Sequence, residues 1–178
     1  MNDINDQLAD LISQAIDLEI NSKRLYQHAA ETTENELGRK MFERLVKAED
    51  GHLESVGEIF TEILGNDDWK EIAERELEGA NPSTIVEDLK KSVAGWTGKE
   101  EHADDVVALR MAMEMERKAI HYFEEIAKKS YNPRVHKMIE KLIDEEKFHY
   151  DILQSQRDSI LNMGIWLDSV EFQMDGKY

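Results

Sequence analysis

Six residues of this sequence have the types and the spacing to hold metal. Glu49 and His52 stand three residues apart, Glu146 and His149 repeat the pattern, and a lone glutamate, Glu19 or Glu116, precedes each pair by 30 residues. Residues i and i+3 of an α-helix lie on one face, so each Glu-x-x-His can bring a carboxylate and an imidazole to one ion. Four carboxylate charges would balance two divalent cations. Oxygen with imidazole suits iron or manganese, and zinc fits the same donors. Without metal, burying even one unpaired carboxylate costs roughly several kcal/mol or forces its protonation, so four such burials need a reason.

One Glu-x-x-His among 39 acidic residues is what a solvated helix face produces by chance. Here the pair recurs inside a duplication. Sliding Ala15–Val56 by 97 positions lays it on Ala112–Leu153 without a gap, and Ala15/Ala112, Ala30/Ala127, Asn35/Asn132, Met41/Met138 and Leu45/Leu142 coincide along with the six metal candidates.

The elements that must position these residues are long helices. Leu8, Leu11, Ile12, Ala15, Leu18, Ser22, Leu25 and Ala29 recur at threes and fours, predicting an amphipathic helix over about residues 5–33 with Glu19 inside its apolar stripe. Tyr26 lies two turns along the same face, placed either to hydrogen-bond a metal-binding carboxylate or to serve as a core tyrosine. A second helix, about 36–64, turns Leu37, Met41, Phe42, Leu45, Val56, Ile59 and Ile63 inward around Glu49 and His52, and Gly65-Asn66 closes it. Residues 66–98 have no counterpart in the duplication and read as a crossover. Within it Asn81-Pro82 opens a short helix that Gly95 ends, Trp69 and Trp96 pin the segment to the bundle, and Thr97-Gly98-Lys99-Glu100 forms a capping box. The third helix buries Val106, Leu109, Ala112, Ala119, Phe123 and Ile126 around Glu116. The fourth, opened by Asn132-Pro133 and closed by Gly164, buries Val135, Met138, Ile139, Leu142, Ile152, Leu153 and Ile160 around Glu146 and His149.

The expected fold is all-α: a four-helix bundle over residues 1–163 built from a duplicated helix pair, with a long crossover at 66–98 between helices 2 and 3. The tail, 164–178, is expected to pack on the bundle or on a partner subunit. Four glutamates and two histidines on such helices are the ligand set of di-iron and di-manganese carboxylate bundles. Glu114, two residues from Glu116, points elsewhere on its helix, and His28, His102, His121 and His136 fall on mostly polar faces.

Composition narrows the function classes. A formal charge of −17 opposes nucleic acid and anionic membrane surfaces as partners, and the absence of cysteine excludes thiolate metal sites and thiol catalysis. No apolar run approaches the ~20 residues that cross a bilayer, and the N-terminus lacks the pattern of a signal peptide, so a cytoplasmic protein is expected.

On Glu19 with Tyr26, Glu49/His52, Glu116 and Glu146/His149, the sequence resembles the ferritin-like superfamily over about residues 5–160, and most closely the rubrerythrin-type di-iron proteins. The resemblance implies two irons per chain bridged by Glu49 and Glu146, with Glu19 and Glu116 as terminal ligands and one histidine, His52 or His149, completing each iron. It implies an oxidoreductase that reduces hydrogen peroxide or dioxygen. Two features depart from that pattern. Rubrerythrins carry a rubredoxin domain with four cysteines, and this chain has none, so an external donor protein such as a rubredoxin is the expected source of electrons. Rubrerythrins also place a further glutamate three residues after the third-helix ligand, where this chain has Ala119. Competing readings are a ferroxidase or iron-storage protein, a di-iron monooxygenase and a metal-stabilised bundle without turnover. A homodimer is expected rather than a storage cage.

Overall fold

The computed structural model describes residues 2–79 and 103–168. Among them five helices form: α1 (Asn2–Thr32), α2 (Glu36–Leu64), α3 (Trp69–Gly79), α4 (Ala103–Lys129) and α5 (Pro133–Met163). Their ends follow from local chemistry. Asn35 and Asn132 take extended backbone ahead of α2 and α5, and the side chain of each accepts backbone N–H bonds, from Leu37 and Gly38 in the first case and from Arg134 in the second. These bonds satisfy donors that the first turn leaves open, and Pro133 needs none. At the other ends Gly65 (φ 75°) and Gly164 (φ 69°) turn left-handed and donate back to Thr61 and Ile160. Side chains with a Cβ resist that conformation.

The four long helices form a ring in the order α2, α1, α4, α5, with α5 closing against α2. Pairings of Gln7 with Lys129, Gln14 with Tyr122 and Tyr26 with Glu116 run in opposite senses along α1 and α4, which are therefore antiparallel. Glu62 meets Arg134 and His52 meets Glu146, so α2 and α5 are antiparallel too. One tight loop per half and one long crossover between halves is the connectivity of ferritin-like bundles. Most of the expected core is buried, including Ile12, Ala15, Phe42, Leu45, Val56, Leu109, Ala112, Phe123, Ile139, Leu142 and Leu153, while Leu11, Leu37, Ile63, Met138 and Ile152, also expected inward, pack partly buried against it.

Two tryptophans seal opposite ends of the bundle over glycines. α3 lies across α1 and α2, and Trp69 packs so closely on Gly57 that a Cβ there would come within 2.4 Å of the indole. After Gly164 the chain brings Trp166 onto Gly38 and edge-on to Phe42, at a ring-centroid distance of 6.1 Å. The Gln156 side chain fastens this segment by donating to the Leu167 carbonyl and accepting from the Leu167 N–H. The sequence reading places no helix at 69–79. The expected 82–95 helix, Trp96, the capping box at 97–100, His102 and the tail beyond 168 lie outside the described residues.

Candidate metal centre

Each of the six metal candidates interrupts an apolar stripe, so folding the ring of helices drives all six inside. Glu19, Glu49, Glu116 and Glu146 are at most 1% exposed, His52 is 4% and His149 is 7%. His52 Nδ1 lies 3.0 Å from Glu146 Oε1, 3.4 Å from Glu49 Oε2 and 3.6 Å from Glu19 Oε2. His149 Nδ1 lies 3.3 Å from Glu146 Oε2 and 3.8 Å from Glu116 Oε1. The two oxygens of Glu146 thus face one imidazole each. The rings stack with centroids 5.1 Å apart, and donor atoms from Glu49, His52, Glu146 and His149 all fall within 4.8 Å of one another.

These atoms are close without being hydrogen-bonded. Both oxygens of Glu19, Glu49 and Glu146, and Nδ1 of both histidines, are buried with no hydrogen-bond partner. Buried polar atoms are normally satisfied, and unpaired buried carboxylates are the costliest exceptions. Lone pairs that converge from three helices and satisfy nothing in the protein are a donor set for cations.

Electrostatics points the same way. Burial, and then the charge of Glu19, holds the carboxyls of Glu49 and Glu146 above the usual carboxylate range. For Glu116, burial and then Glu146 do the same. The histidines diverge. Burial works against the charged form of both, but Glu146, Glu19 and Glu49 outweigh it at His52 and raise its pKa, whereas at His149 burial prevails and lowers it. The contacts explain the difference, because His52 faces three carboxylates through Nδ1 and His149 faces two at longer range.

Tyr26 is fully buried, and its hydroxyl donates to Glu116 Oε1. Burial, followed by the charges of Glu116 and Glu49, lifts the phenol well above its ordinary value, so it stays a protonated donor. A bare core tyrosine would leave that hydroxyl unsatisfied. Phe123 stands at the matching place in the other half, so Glu19 has no such donor. A second asymmetry escaped the sequence reading: Glu145 Oε2 lies 3.4 Å from Nε2 of His52, the nitrogen turned away from the cluster. A carboxylate at that nitrogen fixes the tautomer and ring orientation of a metal-binding imidazole. Ala48 occupies the matching position, and this Glu/Ala difference was the available signal.

The remaining residues stay apart from the cluster. Glu114 pairs with Arg117 at the surface, His136 Nε2 sits 2.7 Å from the Ser130 carbonyl, His121 is exposed, and His28 is half-buried away from the site. Ala119 is buried and offers no donor where rubrerythrins carry their further glutamate.

The sequence matches the rubrerythrin family over residues 10–156. The chain belongs to the rubrerythrin family. That span runs from α1 into α5 and contains all six clustered residues and Tyr26. Neither a curated protein nor a solved structure gives a match. Family and geometry agree: this rubrerythrin-family chain is an all-α ferritin-like bundle, and its buried carboxylate–histidine cluster fits a di-iron protein. Among the described residues no helix is long and apolar enough to cross a membrane.

Proposed function

We propose that the chain is a non-haem di-iron oxidoreductase that reduces hydrogen peroxide, or dioxygen, with electrons from an external donor protein such as a rubredoxin. The observation that carries this reading is the set of unpartnered carboxylate oxygens and imidazole nitrogens around Glu146. In this reading Glu19, Glu49 and His52 would hold metal on one side of Glu146, and Glu116 and His149 on the other. Manganese or zinc can occupy the same donors. A bound di-iron pair would supply the two electrons that peroxide reduction needs and the positive charge that polarises the oxygen substrate.

The protein's own part is to position and to exclude. Burial keeps bulk water from the donors, so the carboxylates stay committed to the cations. Tyr26 holds a proton on its hydroxyl, restrains Glu116 through it and fixes one carboxylate while the others adjust. Glu145 keeps a proton on Nε2 of His52 and so presents the Nδ1 lone pair to the centre. The 178 residues contain no cysteine, so the bundle itself holds no thiolate electron-transfer centre.

The test is anaerobic reconstitution with Fe²⁺ followed by stopped-flow mixing with peroxide or dioxygen. Rapid oxidation of two irons per chain by peroxide, reversed by added reductant, is the expected result. Oxidation that continues to many irons per chain would show mineral storage instead, and no oxidation would leave a structural metal site.

A further inference from the structure

A cavity of about 250 Å³ lies between the first half of α2 and the second half of α5, and His149 is part of its wall. His149 is also the most exposed of the six clustered residues, at 7%. The rest of the inner wall is mostly apolar, with Met41 and Leu45 from α2 and Phe148 and Ile152 from α5, and its one buried polar side chain, Gln156, has its amide taken up by the Leu167 backbone. Lys40, Arg44 and Asp168, all exposed, bring charges of both signs to the mouth. Lys40 is held by Glu36 at 2.7 Å.

Hydrogen peroxide does not account for this cavity. A water molecule's share of liquid volume is about 30 Å³, and peroxide is little larger, so it would occupy a small part of the space and gain nothing from apolar walls. The cavity is also smaller than the roughly 300–1,000 Å³ of sites for drug-sized ligands. Mixed charge at the mouth selects neither anions nor cations. The duplication provides an internal control. At the places matching Phe148 and Ile152 stand Gly51 and Ser55, which cannot build an apolar wall, and Glu145 covers the outer nitrogen of His52. Met41 and Leu45 have apolar counterparts in Met138 and Leu142, so it is Phe148 and Ile152 that set the His149 side apart.

We propose that this cavity binds the alkyl or aryl body of a small organic hydroperoxide, with its polar end toward His149, and so extends the substrate class beyond hydrogen peroxide. The inference rests on the peroxidase reading above. The reaction balances as ROOH with two electrons and two protons giving ROH and water. The O–O bond breaks, the hydroperoxide is reduced, the donor protein is oxidised, and the protons come from solvent.

The test separates the cavity from the metal chemistry. The alcohol product 2-phenyl-2-propanol is titrated into the full-length protein, metal-free and zinc-loaded, and the methyl resonances of Leu45 and Ile152 are followed by NMR. Saturable shifts at both residues are expected in both forms, and Ile152→Trp, which fills the cavity, should abolish the shifts at Leu45. Turnover of cumene hydroperoxide and hydrogen peroxide is then compared in iron-loaded protein. A methylene gained or lost in an apolar pocket is worth roughly 10- to 200-fold in discrimination, so Ile152→Trp should lower the cumene-to-hydrogen-peroxide ratio of kcat/KM at least about tenfold. Should that variant fail to fold, Ile152→Ala widens the same cavity and should raise the ratio of cumene to tert-butyl hydroperoxide turnover. Absence of alcohol binding, or ratios unmoved by the substitution, overturns the inference while hydrogen peroxide turnover leaves the peroxidase reading standing. Failure to reduce either peroxide overturns both.

Discussion

Replacing Glu146 by glutamine should change the sign of its effect on stability according to whether metal is present. Glu146 is fully buried, its two oxygens lie 3.0 and 3.3 Å from His52 and His149, and Glu19, Glu49 and Glu116 crowd around it. Glutamine keeps the shape, but it removes one of four mutually repelling buried acids. Each unit by which burial and repulsion raise a carboxyl is about 1.4 kcal/mol of unfavourable interaction with its charged form. Relief of a modest part of that, on the order of 1–2 kcal/mol, corresponds to a rise in Tm of roughly 2–8 °C for a chain of this length. With metal the balance reverses. Saturation at about a thousand times Kd contributes around 4 kcal/mol per site, and Glu146, with one oxygen facing each histidine, would bear on both contributions under the proposed assignment. The assay is thermal unfolding of wild type and Glu146→Gln, each with chelator and with excess Zn²⁺. The variant should melt higher than wild type in chelator and lower in zinc. A variant that melts lower in both conditions would refute the reasoning, because Glu146 would then be stabilising through the protein alone.

Other consequences follow from the same geometry. In the metal-free protein Glu49, Glu116 and Glu146 retain protons above the ordinary carboxylate value of 4.5 that the unfolded chain has lost, so stability should fall as pH rises from there. The raised His52 acts in the same direction as pH climbs past 6.5, while the lowered His149 opposes it by losing stability as pH falls below 6.5. Chelator-treated protein should therefore melt lower at about pH 8 than at about pH 5, metal should flatten or invert the trend, and calorimetry in buffers of different ionisation enthalpy should report proton release on metal binding. Tyr26→Phe should fold, since Phe123 already fills the matching place, but the loss of a hydrogen bond to Glu116 worth about 1.5–3 kcal/mol should weaken metal binding by roughly 10- to 100-fold in competition titrations. Gly57→Ala, a change that stabilises an exposed helix by about 1 kcal/mol, should here lower stability in urea unfolding, because the new Cβ would meet the Trp69 ring at 2.4 Å.

Much of this architecture was legible because it is written in periodicity. The apolar stripes, the asparagine and glycine caps, and the 97-residue repeat led directly to four long helices and to the six residues that the fold brings together. Features that depend on packing between helices were not legible. Glu145 adjoins Glu146 in sequence and so points about 100° away on its own helix, toward what reads as a solvated face. Only the approach of α2 against α5 puts it beside His52. The opposite behaviour of His52 and His149 has the same origin, since it depends on how many carboxylates each Nδ1 faces. The α3 helix has no such signal, since the local punctuation of Pro82 and Gly95 marks a later segment, whereas α3 is fixed by Trp69 covering Gly57, a contact 12 residues apart with no periodic signature. The cavity beside His149 likewise has no linear pattern, as its walls come from two antiparallel helices and the segment after Gly164.

The central claim is that these six residues hold two metals, and an anaerobic Fe²⁺ titration of the wild-type protein, with bound iron measured after removal of the excess, tests it most directly. Saturation at two irons per chain is expected, lost in Glu49→Ala and Glu146→Ala variants that keep their helical circular dichroism. Saturation below two in wild type, or two irons retained in both variants, would contradict it.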